Sequence, residues 1–346
     1  MPGTRPTIAT IARDLGVSRA SVSYALSGKP GVSDATRARV RAHAAEIGWS
    51  PHAGARALRR GRSENIGFVI AREPRQLSLE PFYSAVTAGI ETAIAQHGFG
   101  LLIKVVPDVD HELAAYRTWS EDRRVDGVVI ADVRTDDPRP ALLEQIGLPT
   151  VVLGSAPESS SPAQVVISDA LDAATLVEHA ADRGYTSILQ ITGPSDFLHE
   201  GRRRAAVAER CQPLGLPHRV LESDYSLEGG AAALTRALPD LLEVPDAHDR
   251  VAVIASSDLI ALGAQRAARA AGIDVPSALG VLSWDDSLIM QIAVPDITAL
   301  HRAPFDLGGE AGELMTGLLD GSVDAGTQVV LGRSSLHVRG STTPTD

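Results

Sequence analysis

A chain of 346 residues with 44% hydrophobic and 22% charged residues can bury two or three cores, and it has no apolar run near the ~18 residues of a membrane span. Its formal charge of −11 is unevenly spread: residues 1–62 carry 11 Lys and Arg against 3 Asp and Glu, and the remainder 21 against 40. The lone Cys211 excludes an intrachain disulfide and a thiolate metal cluster.

A compact cationic module neutralises phosphates and releases their counterions, whereas an acidic body is repelled by the same polyanion. The basic end is therefore expected to face DNA, and its residues are patterned for that task. Thr7 is a good N-cap, and Ile8, Ile11, Ala12 and Leu15 recur at helical spacing, predicting a first helix that Gly16 ends. Val17 plugs the turn, Ser18 caps a second helix running to about Ser27-Gly28, and Val22, Ala25 and Leu26 turn inward. Arg19, Ala20, Ser21, Ser23 and Tyr24 stay outside, a small and polar face suited to a major groove. A third helix follows from Ser33, with Asp34 in its first turn, Val40, Ala44 and Ile47 inward and Gly48 as C-cap. Ser50 and Pro51 make another helix start, but Trp49 to Leu58 is too short to be stable without DNA or a partner.

From Ile66 onward short apolar strands alternate with amphipathic helices. Strands are expected at Ile66–Ala71, Leu101–Val106, Gly127–Ala131 and Thr150–Leu153, and then the pattern restarts with Val165–Ile167, Ser187–Ile191, Arg219–Leu221, Val251–Ala255 and Leu279–Ser283. Such alternation requires parallel sheets covered by helices on both faces, here two lobes, each a doubly wound parallel sheet. Ligands bind beyond the carboxyl ends of such strands, so the polar residues to watch sit in the loops after them. These are Glu80-Pro81-Phe82-Tyr83, Ser168-Asp169, the segment from Gly193 to Arg203, Ser256-Ser257-Asp258 and Trp284-Asp285-Asp286. Asp169 and Asp258 also suit helix starts, and Trp284 also suits a core. The expected divisions are a headpiece at 1–49, a hinge at 50–62, a core at 63–340 and a flexible tail at 341–346. Within the core, lobe one takes about 63–163 and 294–324, and lobe two about 164–293 and 325–340.

The run from Thr7 to Leu58 resembles the headpiece of the lactose-repressor (LacI/GalR) family. Thr7-Ile8, Ile11-Ala12, Gly16-Val17-Ser18, Val32-Ser33, Thr36-Arg37, Trp49-x-Pro51 and Ala55-Arg56-x-Leu58 match its pattern at the same spacing. The resemblance implies base-reading positions at Arg19, Ala20 and Tyr24 and phosphate contacts at Thr7, Ser18, Ser21, Ser23, Ser33 and Thr36. It implies a hinge of His52, Ala55, Arg56 and Leu58 in the minor groove, with Leu58 as the wedge that kinks the operator. The chain departs from the family at His52, where Asn is usual, and at Gly54, whose backbone freedom costs a helix roughly 0.5–1 kcal/mol relative to Ala. The core is similar to that of the same family, itself like periplasmic sugar-binding proteins, through Val125-Asp126-Gly127-Val128, Gly147-Leu148-Pro149, Ser257 to Gly263, Val275-Pro276, Val281 to Asp286 and Pro295 to Ala299. Effector contacts implied by position are Asp169, Arg203, Ser257 and Asp285, with Tyr83 and Trp284 as apolar or stacking walls. Ser257 stands where Asn is common, and Ala206-Val207 replaces a Gly-aromatic pair.

The whole reads as an N-terminal all-α helix-turn-helix domain on an α/β two-lobed, periplasmic-binding-protein-like core. The resemblance implies a transcriptional repressor that binds a pseudopalindromic double-stranded DNA operator as a homodimer, under control of a small-molecule effector, with sugars or related polyols leading. The chain lacks Gly-x-Ser-x-Gly, a phosphate loop and His-Glu-x-x-His, so no catalytic residue, cofactor or metal is expected. A solute-binding protein would need an export signal, absent from residues 1–30, and a cytoplasmic, non-membrane location is expected. A DNA binder indifferent to small molecules would need no cleft. After Arg339 no apolar heptads follow, which favours a dimer over a tetramer.

Overall fold

The computed structural model describes residues 6–49, 62–156, 162–242 and 250–343. They fall into two units that divide at Ser63 and Glu64. Among the described residues no helix is long and apolar enough to cross a membrane.

Among its described residues the first unit has three helices, α1 (Ile8–Leu15), α2 (Arg19–Ser27) and α3 (Asp34–Glu46). Each opens on a pair of hydroxyls three residues apart. Thr7 with Thr10, Ser18 with Ser21 and Ser33 with Thr36 join oxygen to oxygen at 3.1, 2.8 and 2.9 Å, and each N-cap oxygen also accepts the backbone N–H three residues on. Gly16 closes α1 at φ 66°, a left-handed conformation that costs a residue without Cβ nothing. Ile11, Ala12, Val22, Ala25, Val40 and Ala44 form the buried centre, with Leu15, Val17, Leu26, Ile47 and Trp49 packed around it. His43 reaches Asp14 at 3.3 Å and ties α3 to α1.

The second unit holds two six-stranded sheets. The first contains β1 (Asn65–Ala71), β2 (Gly100–Val106), β3 (Gly127–Ile130), β4 (Thr150–Leu153), β5 (Ala163–Val166) and β11 (Gln328–Val330), in the order β11-β5-β4-β3-β1-β2 and parallel throughout. The second contains β6 (Ser187–Thr192), β7 (His218–Glu222), β8 (Val251–Ala255), β9 (Leu279–Ser283), β10 (Thr298–His301) and β12 (Ser335–His337), in the order β12-β10-β9-β8-β6-β7. Only its β10–β12 pairing is antiparallel. Runs such as Ile66-Gly-Phe-Val-Ile70 are buried on both faces, as strands covered by helices on both sides must be. Each fully buried Ile or Phe contributes roughly 1.5–3 kcal/mol.

The first sheet is covered by α4 (Pro74–Leu77), α5 (Pro81–Gln96), α6 (Val109–Glu121), α7 (Arg139–Gln145) and α13 (Pro304–Asp320). The second is covered by α8 (Asp169–Asp182), α9 (Leu198–Leu214), α10 (Leu227–Leu242), α11 (Asp258–Ala270) and α12 (Leu288–Ile292). Each lobe has one helix pair in glycine-mediated contact. A Cβ on Gly89 of α5 would lie 2.0 Å from the Phe305 carbonyl oxygen, and one on Gly263 of α11 would lie 2.1 Å from that of Leu227.

The lobe divisions differ from expectation at their edges. β5 was expected to open the second lobe and β11 to belong to it, yet both join the first sheet, while β10, expected in lobe one, lies in the second. Alternation is the same on either side of a crossover, so periodicity cannot tell which sheet a strand joins. The chain passes between lobes three times, at 167–168, 302–303 and 331–334. The tail also differs from expectation. Ser341 and Thr342 are fully buried, Ser341 Oγ accepts from Thr298 N at 2.8 Å and donates to the Val281 carbonyl at 2.5 Å, and Thr342 Oγ1 lies 2.7 Å from Thr298 Oγ1. Hydroxyls that cap the seam between β9 and β10 leave no apolar trace in a sequence.

Candidate functional site

In each lobe the strand order reverses direction beside its first strand, at β1–β3 and at β6–β8, and the loops at those switch points face a common cleft of about 990 Å³, part of it open to solvent. Arg72 follows β1, Asp132 follows β3, Ser256 and Ser257 follow β8, and Asp285 follows β9.

On the first lobe the Asp132 carboxylate accepts hydrogen bonds from Arg72 Nη2 and from the Tyr83 hydroxyl. Burial opposes its charge, but Arg72 holds its carboxyl below the usual range. Asp132 sits at φ 51°, strained for a residue with a Cβ, and the buried Arg139 steadies it by donating to the Asp132 carbonyl at 2.8 Å. Arg139 is itself fixed by Glu112 at 2.9 Å and Asp137 at 2.6 Å. The Arg72 guanidinium lies 5.6 Å from the Tyr83 ring centre and 5.0 and 5.7 Å from those of Phe197 and Tyr225 on the other lobe, a cation held between lobes by aromatic faces. Beside it, Arg134 bridges to Asp196 at 2.6 Å, and Leu198 N donates to the Val133 carbonyl at 2.8 Å.

The second lobe is organised around Arg203, which is 5% exposed. Its Nε donates to Asp169 at 3.3 Å, its Nη1 donates to the Ser256 carbonyl at 3.2 Å and lies 3.7 Å from Glu200, and its guanidinium stacks 4.9 Å from Trp284. Glu200 accepts from the Tyr225 hydroxyl and from Ser256 Oγ at 2.7 Å. Burial works against its charge, yet His199, then Arg203 and Tyr225, bring its carboxyl down to about 2. Tyr225, at φ 64°, needs Gly193 beneath it, where a Cβ would fall 2.1 Å from the ring. Two acids remain poorly compensated. Burial pushes Glu80 up to about 7 against the pull of Arg72, and burial and then the Asp285 charge push Asp258 up to about 6. The cleft therefore offers carboxylates that accept hydroxyl protons, a guanidinium that donates, and an aromatic wall.

In the headpiece, Arg19, Ala20 and Tyr24 lie exposed on α2, with Tyr24 resting on Gly31. Thr7, Ser18, Ser21, Ser33 and Thr36 are the capping hydroxyls at the starts of the helices, where backbone N–H groups and the helix dipole favour an anion. Ser23 is half-buried on α2.

Residues 7–52 match the model described as bacterial regulatory proteins, lacI family, and residues 177–342 match a periplasmic binding protein-like domain. The HTH-type transcriptional regulator CelR of Thermobifida fusca is 30% identical over 345 residues, spanning 97% of this chain and 98% of its own. The chain belongs to the lacI family of bacterial regulatory proteins. Among the solved structures that share its fold are two regulators. One is a complex of the regulator CelR with cellobiose, with 27% identity and a TM-score of 0.74 over 97% of this chain and 100% of that one. The other is the lac repressor dimer bound to operator and the anti-inducer ONPF, with 23% identity and a TM-score of 0.84 over 98% and 99%.

For this lacI-family chain, Tyr83, Asp169, Arg203, Ser257 and Asp285 line one cleft, drawn there from both lobes. Trp284 does not reach it: the ring is fully buried and serves as the floor beneath Arg203. The start of α11 is also corrected, since Ser257 caps it by accepting from Ile260 N at 3.3 Å, and Asp258 follows inside the helix. His52, Ala55, Arg56 and Leu58 lie outside the described residues. Sequence reading missed Arg72, Asp132 and Tyr225 and did not single out Glu200 within the segment from Gly193 to Arg203, because the four meet only through tertiary pairing. The one local signal was Glu200 three residues before Arg203, a spacing shared by many exposed helix faces.

Proposed function

We propose that this lacI-family regulator is a homodimeric, cytoplasmic repressor of a pseudopalindromic DNA operator whose affinity is set by a sugar or related polyol held in the cleft. One observation carries the reading: Tyr83 on the first lobe and Asp169, Arg203, Ser257 and Asp285 on the second converge on the same cleft. Arg203 donates to ligand oxygens, Asp169 and Asp285 accept hydrogen bonds from hydroxyls, Ser257 does either, and Tyr83 forms the apolar wall. The cellobiose held by CelR is a ligand of this chemistry.

At the DNA, Arg19 grips a guanine edge, Ala20 and Tyr24 read adjacent positions, and Thr7, Ser18, Ser21, Ser23, Ser33 and Thr36 meet phosphates. His52, Ala55, Arg56 and Leu58 follow the minor groove, with Leu58 as the wedge. Effector in the cleft favours one arrangement of the lobes, which sets the spacing of the two hinge segments; the shift equals its differential affinity for the two arrangements. A dimer supplies two heads for two half-sites, and exposed Leu288, Ile292 and Val294, at 68%, 68% and 74%, give the second lobe an apolar face to share.

The test selects duplexes that bind from a random pool and then measures anisotropy of the winning site with and without cellobiose and a panel of monosaccharides and disaccharides. A twofold-symmetric site is expected to emerge, and one sugar to change its Kd by about 5- to 150-fold. Equal affinity for selected and random duplex at moderate salt would overturn the reading.

A further inference from the structure

Asp286, His301 and His337 stand apart from the cleft, yet a ligand atom from each lies within 4.8 Å of the other two. They come from three places in the chain. Asp286 follows β9, His301 ends β10 and His337 ends β12. In the antiparallel register His301 faces Ser335 and His337 faces Ala299, which puts both imidazoles on the same side of the ribbon as diagonal neighbours. Their rings lie nearly parallel, 14° apart with centres at 5.4 Å. His337 Nδ1 is 2.6 Å from Asp286 Oδ2, so one histidine already answers the carboxylate, whereas the His301 side chain has no hydrogen bond or ion pair among the described residues.

We propose that Asp286, His301 and His337 bind a divalent transition-metal ion of the zinc or nickel class. Two imidazole nitrogens and one carboxylate oxygen are the donor set such ions select, and a set with a single oxygen suits magnesium or calcium poorly. The Asp286 side chain is 2% exposed and is oriented by Arg339, whose Nη2 donates to Oδ2 at 2.8 Å while its Nη1 donates to the Ile297 carbonyl at 2.6 Å. Arg339 thereby plays the outer part that fixes a ligating carboxylate, and its positive charge weakens the site without removing a donor. Both histidines are exposed, so the ion enters from solvent and keeps water at its remaining positions. Coordination would pin the segment carrying Asp285, one residue away on the cleft wall. The donors' wide separation in the chain matches no metal motif, and the sequence expectation of no metal is revised by this proposal.

The experiment titrates the chelator-treated full chain with Zn2+ in a calorimeter, beside His301→Ala, His337→Ala and the control His97→Ala, an exposed histidine paired with Glu313 on the first lobe. The wild type and His97→Ala are expected to bind one equivalent alike, and the other two variants to bind more than about tenfold more weakly. His301→Ala removes no polar contact, so it folds, and Zn2+ should raise the Tm of the wild type but not of this variant. Identical titrations for all four proteins, or no uptake of Zn2+ by the wild type, would overturn the site.

Discussion

Arg203 is the residue on which the second-lobe wall turns, because its buried guanidinium separates Asp169 from Glu200. Arg203→Ala removes the cation between the two acids and leaves His199, 3.6 Å from Glu200, beside them, and breaking a buried pair of this kind costs about 3–5 kcal/mol. Urea unfolding should show that loss together with an operator complex that no sugar alters; a variant as stable as the wild type, still responsive, would remove Arg203 from both roles. Glu80 gives a pH signature. Its carboxyl is raised from 4.5 to about 7, so the folded state favours the proton, and the stability this brings is complete below about 4.5 and lost as pH rises through about 7. Glu80→Gln is therefore expected to raise Tm at pH 8 relative to wild type and to change it little at pH 5. Equal shifts at both values would mean that Glu80 ionises normally. Arg203 was legible in the sequence only to within the run Arg202-Arg203-Arg204, and burial in the fold is what sets it apart from its two neighbours. Glu80 was legible only as a loop residue, since its environment is made by Arg72, Asp132 and Asp258, which converge on it only when the sheet forms.

The headpiece helices begin where hydroxyls are paired, and these ends were the most legible part of the chain. Thr7, Ser18 and Ser33 are local signals: a cap acts on the next three residues and needs no tertiary partner. Ser18→Ala should cost about 1 kcal/mol of headpiece stability and weaken binding alike on every duplex, whereas Arg19→Ala should lose about 1–3 kcal/mol at a single base pair. Anisotropy over a panel of single-base operator variants separates the two, and a uniform loss from Arg19→Ala would deny it a base contact. Strand membership was less legible. β5 and β11 are short strands at one end of the first sheet, placed there by backbone pairing with β4 and with each other, and side-chain periodicity carries no record of that choice.

Over the whole molecule, the division of charge into a cationic end and an acidic remainder announced a DNA-binding end, and that division needed no fold to be read. The face proposed for self-association is less apparent in sequence, since Leu288, Ile292 and Val294 look like any apolar run until the fold leaves them outside. Leu288→Asp is expected to convert a sedimenting dimer into monomers and, by uncoupling the half-sites, to weaken operator binding by about 100-fold or more. A variant that still sediments as a dimer would assign the shared face elsewhere. The three passages of the chain between lobes govern how such a regulator can be re-engineered. No contiguous stretch of the gene encodes a complete lobe, so a stop codon ahead of β11 mutilates both at once. A foreign head can be grafted through one splice near residue 63, but a foreign second lobe demands three, two of them beside Ile167 and Arg302 in the cleft itself. New DNA addresses are thus simpler to install in this scaffold than new sensing halves.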